Sequence, residues 1–209
     1  NAAWLDAESD LGRAYWDALQ TIRLWTKANH FALHDRIAAK LGNRVVDRFW
    51  NEHNFVFRRA DGLFYHAKGA TPSFAGFSPD DDGRTLIPMN MSEPILVASH
   101  RDRKEALGFS PHGAGRNMSR TRYLREGIEA RAEADVMMAE TKGLDVRFWC
   151  GRPDLSELPG GYKSAAQVVG QIGKQKLADI VDHIDPYGSI MAGDWEADAP
   201  WRKDRAAKA

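Results

Sequence analysis

One stretch carries residue types and spacings suited to phosphoryl chemistry: Pro111-His112-Gly113-Ala114-Gly115-Arg116-Asn117-Met118-Ser119-Arg120. An imidazole is followed by three very small residues, with guanidiniums four and eight positions beyond it. Glycine lets backbone approach a ligand closely and permits turns that other residues resist. Successive amides in such a turn form a concavity for anions, and arginine is the side chain best shaped to grip phosphate oxygens. At the mouth of that cradle, His112 has the chemistry of a nucleophile, a general acid or base, or a metal ligand. The competing reading is a tight glycine turn with an exposed histidine.

Other stretches offer weaker signals. In Trp50-Asn51-Glu52-His53-Asn54 a histidine stands between an acid and an amide, either as a ligand for a divalent ion or as a locally satisfied polar residue. His66-Ala67-Lys68-Gly69-Ala70-Thr71-Pro72 is a basic, glycine-containing turn that lacks the P-loop pattern. His30 and His34 are four apart, but no zincin-type carboxylate accompanies them, so they read as ordinary helix positions. Ser78-Pro79-Asp80-Asp81-Asp82-Gly83 lacks the alternation of a calcium loop and reads as a solvated turn. Cys150 reads as a small buried hydrophobe.

These residues need elements to hold them. A helix is expected over about 9–41, capped by Ser9 and stopped by Gly42, with Leu11, Tyr15, Ala18, Ile22, Trp25, Ala32 and Leu41 on one packed face. Phe55–Arg58 and Leu63–His66 flank Asp61-Gly62, a hairpin signal. Ile87-Pro88-Met89-Asn90-Met91-Ser92-Glu93-Pro94 reads by default as a rigid loop feeding a buried strand, Ile95–Ala98; the competing reading is a loop that presents backbone and Asn90 to a planar ligand. A solvent-facing helix is expected over 121–140, a strand over 145–150, a helix from about Ala165 to His183, and a turn and short strand over 185–193. The fold class is α+β, with residues 1–201 as one domain or part of a larger one, followed by a charged mobile tail at 202–209.

The chain balances 29 basic against 29 acidic residues, so nucleic-acid binding would have to come from a local cluster. No apolar run reaches membrane-spanning length and no secretory signal opens the sequence, so no membrane partner is expected. The single cysteine fits a reducing cytoplasm.

The order of these motifs resembles the C-terminal half of the RtcB family of RNA ligases. The resemblance is carried by Glu52-His53-Asn54, Lys68-Gly69-Ala70-Thr71, Ile87-Pro88 with its loop, Pro111 to Arg116 with Met118-Ser119-Arg120, and Leu158-Pro159-Gly160-Gly161-Tyr162-Lys163. It covers roughly residues 4–193. It implies an RtcB-like fold and a GTP- and Mn²⁺-dependent ligase. Such a ligase joins RNA 2′,3′-cyclic phosphate or 3′-phosphate ends to 5′-hydroxyl ends in tRNA splicing or RNA repair. His112 would attack the α-phosphorus of GTP and carry GMP covalently. The resemblance makes His53 a manganese ligand and assigns nucleotide contacts to His53, Asn54, Pro88, Met89, Asn90, Met91, Gly113, Ala114, Gly115 and Tyr162. Lys68, Arg116 and Arg120 would meet phosphate or RNA.

Where the family has glycine-serine-methionine-glycine, this sequence has Met89-Asn90-Met91-Ser92, and a family serine appears as Ile95. The closing lysine is absent from Ile190-Met191-Ala192-Gly193. These departures mark a divergent branch and keep open a second expectation, a non-catalytic subunit that binds nucleotide or RNA ends. Segments matching the family's other metal ligands are not found in these residues. The resemblance therefore implies that an N-terminal half on another chain completes the site in an obligate heterodimer.

Overall fold

The computed structural model describes residues 4–128 and 131–195. The chain divides into two compact units, Asn1–Trp50 and Asn51–Ala209. The expected tail at 202–209 lies outside the described residues.

The first unit is built on one helix, α1 (Asp10–Leu41). Ser9 accepts a hydrogen bond from the Gly12 amide, and Gly42 ends the helix in the left-handed region at φ 68°. Both termini match the expectation, because the signals that set them are local. The packed apolar face does not. Leu11, Tyr15, Ile22, Trp25 and Leu41 are all more than half exposed, and Gly12 is the helix's buried residue. A helix needs a second layer to bury a stripe, and a unit holding one helix supplies none. His30 and Trp50 meet edge to face, with ring centroids 5.3 Å apart.

The second unit is mixed helix and strand, with small sheets that are mostly antiparallel. Strands β1 (Val56–Arg58) and β2 (Phe64–His66) form the expected hairpin. β3 (Ala70–Pro72) pairs with β6 (Phe109–Pro111). β4 (Arg84–Pro88), β5 (Ile95–His100) and β8 (Ala178–Ile184) make a three-stranded antiparallel sheet. β7 (Asp145–Phe148) runs parallel to β9 (Gly188–Met191).

Two helix expectations are corrected. Residues 121–140 do not form one solvent-facing helix. A short turn, α2 (Arg120–Arg122), runs into a π-helical segment, Tyr123–Ile128, and α3 spans Glu133–Thr141. Tyr123, Ile128 and Val136 are buried there with Met91 and Leu158, so apolar packing overrides the polar composition. The second helix, α4 (Ala165–Gln175), ends at Lys176, which is left-handed at φ 50°. The residues beyond it enter β8, whose edge hydrogen bonds to β5 outweigh continuation of the helix. Val168 and Ile172 pack on Ile87, Met89, Leu96 and Ala98, as their spacing predicted.

The acidic turn is also less solvated than its composition predicts. Asp81 keeps only 5% of its side chain exposed, accepts from the Gly76 and Gly83 amides, and lies 3.8 Å from His100. Cys150 is half-buried in the turn after β7, with its thiol toward the Arg152 carbonyl.

Candidate functional site

His112 directly follows β6, and the pairing Ala70↔Pro111 delivers it to the turn that precedes β3. That turn is Lys68-Gly69. Gly69 is left-handed at φ 70°, its amide donates to Asn54 Oδ1 at 2.7 Å, and its carbonyl accepts from the His112 amide at 3.4 Å. Asn54 itself has φ 52°, a conformation asparagine tolerates better than most residues, and its amide reaches Ala70. The two histidines singled out in the sequence, separated by 59 positions, are thereby stacked, with ring centroids 5.3 Å apart and planes 13° from parallel.

The stack has an electrostatic consequence. Burial holds the His112 imidazole below the ordinary value of 6.5, and the neighbouring His53 and Lys68 reinforce this. Each disfavours a second positive charge or removes water that would stabilise it. His112 is therefore neutral at pH 7, the form that can attack phosphorus or ligate a metal. His53→Ala and Lys68→Ala should each raise the His112 midpoint toward 6.5, with the larger rise in His53→Ala. NMR titration of the His112 ring would read this; an unchanged or lowered midpoint in both variants would contradict it.

The loop after His112 is backed by β4. Ala114 is buried and its amide donates to the Pro88 carbonyl at 3.2 Å. A β-carbon on Gly113 would stand 3.0 Å from that same carbonyl oxygen, so glycine permits the close approach. Gly115 is left-handed at φ 68°, and its carbonyl accepts from the Lys163 amide. The adjoining loop is taken up by packing: Met89 and Met91 are buried in separate apolar clusters. Asn90 donates to Glu93, and Glu93 also accepts from the Ala165 amide at the start of α4.

Arg116, Arg120 and Tyr162 converge on Glu157, a residue that sequence reading did not single out. Arg120 Nε donates to Glu157 Oε1 at 2.5 Å, the Tyr162 hydroxyl donates to Oε2, and Arg116 Nη1 lies 3.9 Å from Oε2. The Arg116 guanidinium covers the Tyr162 ring at 4.7 Å from its centroid and donates to the carbonyls of Met118 and Ser156. Burial pushes the Glu157 carboxyl up, but hydrogen bonds from Tyr162 and Arg120 with the charge of Arg116 outweigh it and hold the group below 4.5. No local signal marks Glu157, because its partners Arg116 and Arg120 lie about forty residues upstream in the chain.

Removing that carboxylate leaves a half-buried guanidinium without its counter-charge. Glu157→Ala should cost about 2 kcal/mol, mostly from Arg116 and Tyr162, since Arg120 is exposed and contributes little. Glu157→Gln should cost less, because its amide oxygen still accepts from Tyr162. Urea denaturation checks both; equal midpoints for the parent and Glu157→Ala would contradict the hub role. The depressed carboxyl adds stability at neutral pH that is lost as pH falls through the folded value, below 4.5.

Seven of the residues named from sequence therefore fall into two groups. His53, Asn54, Lys68 and His112 meet at the β3–β6 end, while Arg116, Arg120 and Tyr162 meet around Glu157. Arg116 Nη1 is buried and makes no hydrogen bond among the described residues. The anionic oxygen nearest to it is Glu157 Oε2 at 3.9 Å. No group of three or more His, Cys, Asp or Glu side chains capable of holding a metal is found among the described residues.

A family model described as tRNA-splicing ligase RtcB matches residues 1–192. A tRNA-splicing ligase RtcB of Thermococcus kodakarensis is 29% identical over 187 residues, covering 83% of this chain and 38% of the relative. Its counterpart from Archaeoglobus fulgidus is 30% identical over 187 residues, with the same coverage. An RNA-splicing ligase RtcB homolog 2 of Entamoeba dispar is 28% identical over 130 residues, covering 58% of this chain and 24% of the relative. The chain thus spans well under half the length of these relatives. With the family model matched over almost all of the chain, including every residue of both groups, the chain belongs to the RtcB family.

Proposed function

We propose that this chain is the nucleophile-bearing part of a GTP-dependent RNA ligase. The observation that carries the reading is the placement of His112: its imidazole is stacked on His53 at the head of a glycine loop that leads to the half-buried Arg116 guanidinium. Its ring nitrogen attacks the α-phosphorus of GTP. A nitrogen–phosphorus bond forms, the bond to the bridging oxygen breaks, pyrophosphate leaves, and the second ring nitrogen releases its proton. GMP then passes to the RNA 3′-phosphate, breaking the nitrogen–phosphorus bond. The 5′-hydroxyl attacks that activated phosphate, loses its proton, and GMP departs. The Arg116 guanidinium and the amides of Gly113 and Gly115 suit the phosphate oxygens, and Lys68 adds positive charge beside His112.

Manganese stands differently. His53 is one suitable donor, and one side chain does not make a metal site. We therefore assign no step to the metal and propose that the remaining donors belong to an RtcB-like N-terminal half outside these residues. The exposed apolar side chains of α1 support such a partner, since large exposed apolar surfaces mark interaction sites. No helix among the described residues is long and apolar enough to cross a membrane. We place the protein in the cytoplasm on its single cysteine.

The second reading, a non-catalytic subunit binding nucleotide or RNA ends, is favoured by one observation: Met89 and Met91 of the altered loop are spent on packing. Incubation with α-phosphate-labelled GTP and Mn²⁺, with and without the N-terminal partner, separates the two. Acid-labile, alkali-stable label on protein supports the ligase. An assembled complex that takes no label from any nucleoside triphosphate sinks it in favour of the subunit.

A further inference from the structure

Beside β2 lies a shallow cavity of about 340 Å³, lined by Arg59, Ala60, Asp61, Tyr65, Lys104 and Leu107. Its size falls in the range of small-ligand sites, roughly 300–1,000 Å³. Its walls combine an aromatic ring, an apolar side chain that is 57% exposed, and two cations. The planar cation is held firmly. Arg59 donates to both carboxylate oxygens of Asp102, at 2.9 and 3.0 Å, and to the Leu107 carbonyl at 2.9 Å, while its guanidinium sits over Phe74 and Tyr65. Tyr65 is fixed in turn by its hydroxyl, which donates to Asp61 Oδ2 at 2.6 Å. Gly108 behind this arrangement is left-handed at φ 74°, and a β-carbon there would stand 2.5 Å from Asp102 Oδ1 and 2.7 Å from Arg59 Nη1, so a side chain would push one of them aside.

The cavity is also tied to His112. The Tyr65 ring lies 6.5 Å from that of Phe109, and Phe109 opens β6, which delivers the nucleophile three residues later. At the rise of a strand this is about 10 Å. A pre-set ring and guanidinium suit stacking with a nucleobase, an acidic oxygen at Asp61 suits an exocyclic amine, and Lys104 suits the adjoining phosphate. We infer that the cavity holds one nucleotide of the single RNA strand that approaches His112, stacked at Tyr65 and Leu107 with its phosphate at Lys104. The inference rests on the ligase reading for its substrate class and adds a binding position to it. It favours RNA over free mononucleotide because the cavity lies one strand away from the candidate nucleophile.

Two surface variants of the full chain test it, Lys104→Glu and Leu107→Asn. Asparagine is chosen because position 107 is left-handed, at φ 55°. The probe is a fluorescent single-stranded RNA of about ten nucleotides with a 3′-phosphate, read by anisotropy across a salt series. Lys104→Glu should weaken binding about 10-fold and reduce the salt slope by about one. Leu107→Asn should weaken it about 5-fold with the slope kept. Failure of the parent to bind this RNA, or unchanged binding in both variants, overturns the inference. Equal competition by GMP reassigns the cavity to mononucleotide and overturns it too. Labelling of His112 keeps the two readings apart. Intact labelling with unchanged RNA binding removes the cavity and spares the ligase, whereas absent labelling with weakened variants does the reverse. Should Leu107→Asn fail to fold, Lys104→Glu decides alone.

Discussion

Replacing His112 with alanine should abolish the acid-labile nucleotide label completely, because it removes the attacking imidazole, and the His53 ring stacked on it is a metal donor in the proposed reading. The fold should survive the change. His112 is only half-buried, and its loop is held by backbone contacts to Pro88 and Lys163. The variant should also differ from the parent in its response to pH. A histidine whose folded value lies below 6.5 binds protons more readily when unfolded, so the parent loses stability as pH falls from about 6.5 toward the folded value. His112→Ala lacks that loss. Relative to the parent it should gain stability at pH 5 compared with pH 8, as measured by urea midpoints. Label that persists in the variant would move the nucleophile elsewhere, and a stability difference independent of pH would remove the proposed depression of His112.

The largest stability effect is expected at Leu158, which is fully buried at the start of the turn that carries Tyr162. It packs with Met91 from the loop after β4, Tyr123 and Ile128 from the π-helical segment, and Val136 from α3. These neighbours come from separate elements, so they collapse poorly around a lost side chain. Leu158→Ala should therefore cost about 2–5 kcal/mol, the range for a truncated core leucine. Leu158→Met should cost under about 1.5 kcal/mol, since it nearly conserves volume. The damage should spread to the site. The Asn117 amide donates to Gly161 and the Lys163 amide to Gly115, and both bonds depend on where the 158–163 turn sits. Faster hydrogen exchange at these two amides in Leu158→Ala, with smaller change in β4 and β5, is the expected pattern. Uniform acceleration across the second unit would instead mean that the turn is not anchored separately.

What was legible in the sequence was local. Ser9 and Gly42 bound α1 because caps act within a turn, and Asp61-Gly62 marks the β1–β2 hairpin for the same reason. The block at 111–120 is legible because its small residues and cations are adjacent in the chain. The errors arose where a distant partner decides. Residues 177–183 carry apolar spacing compatible with a helix, yet β5 offers them a strand edge, and α4 stops at Gln175. The charged stretch at 121–140 breaks because Tyr123 and Val136 find a shared core with Leu158.

The sequence by itself determined the residue types of the site, the ends of α1 and the family. A periodic pattern or a contiguous motif needs no third dimension to be read. Only the tertiary structure decided that His53 stacks on His112, because that pairing depends on β3 meeting β6 across about forty residues. Only it decided that Glu157 gathers Arg116, Arg120 and Tyr162, since a carboxylate becomes a hub through burial and convergence, neither of which spacing encodes.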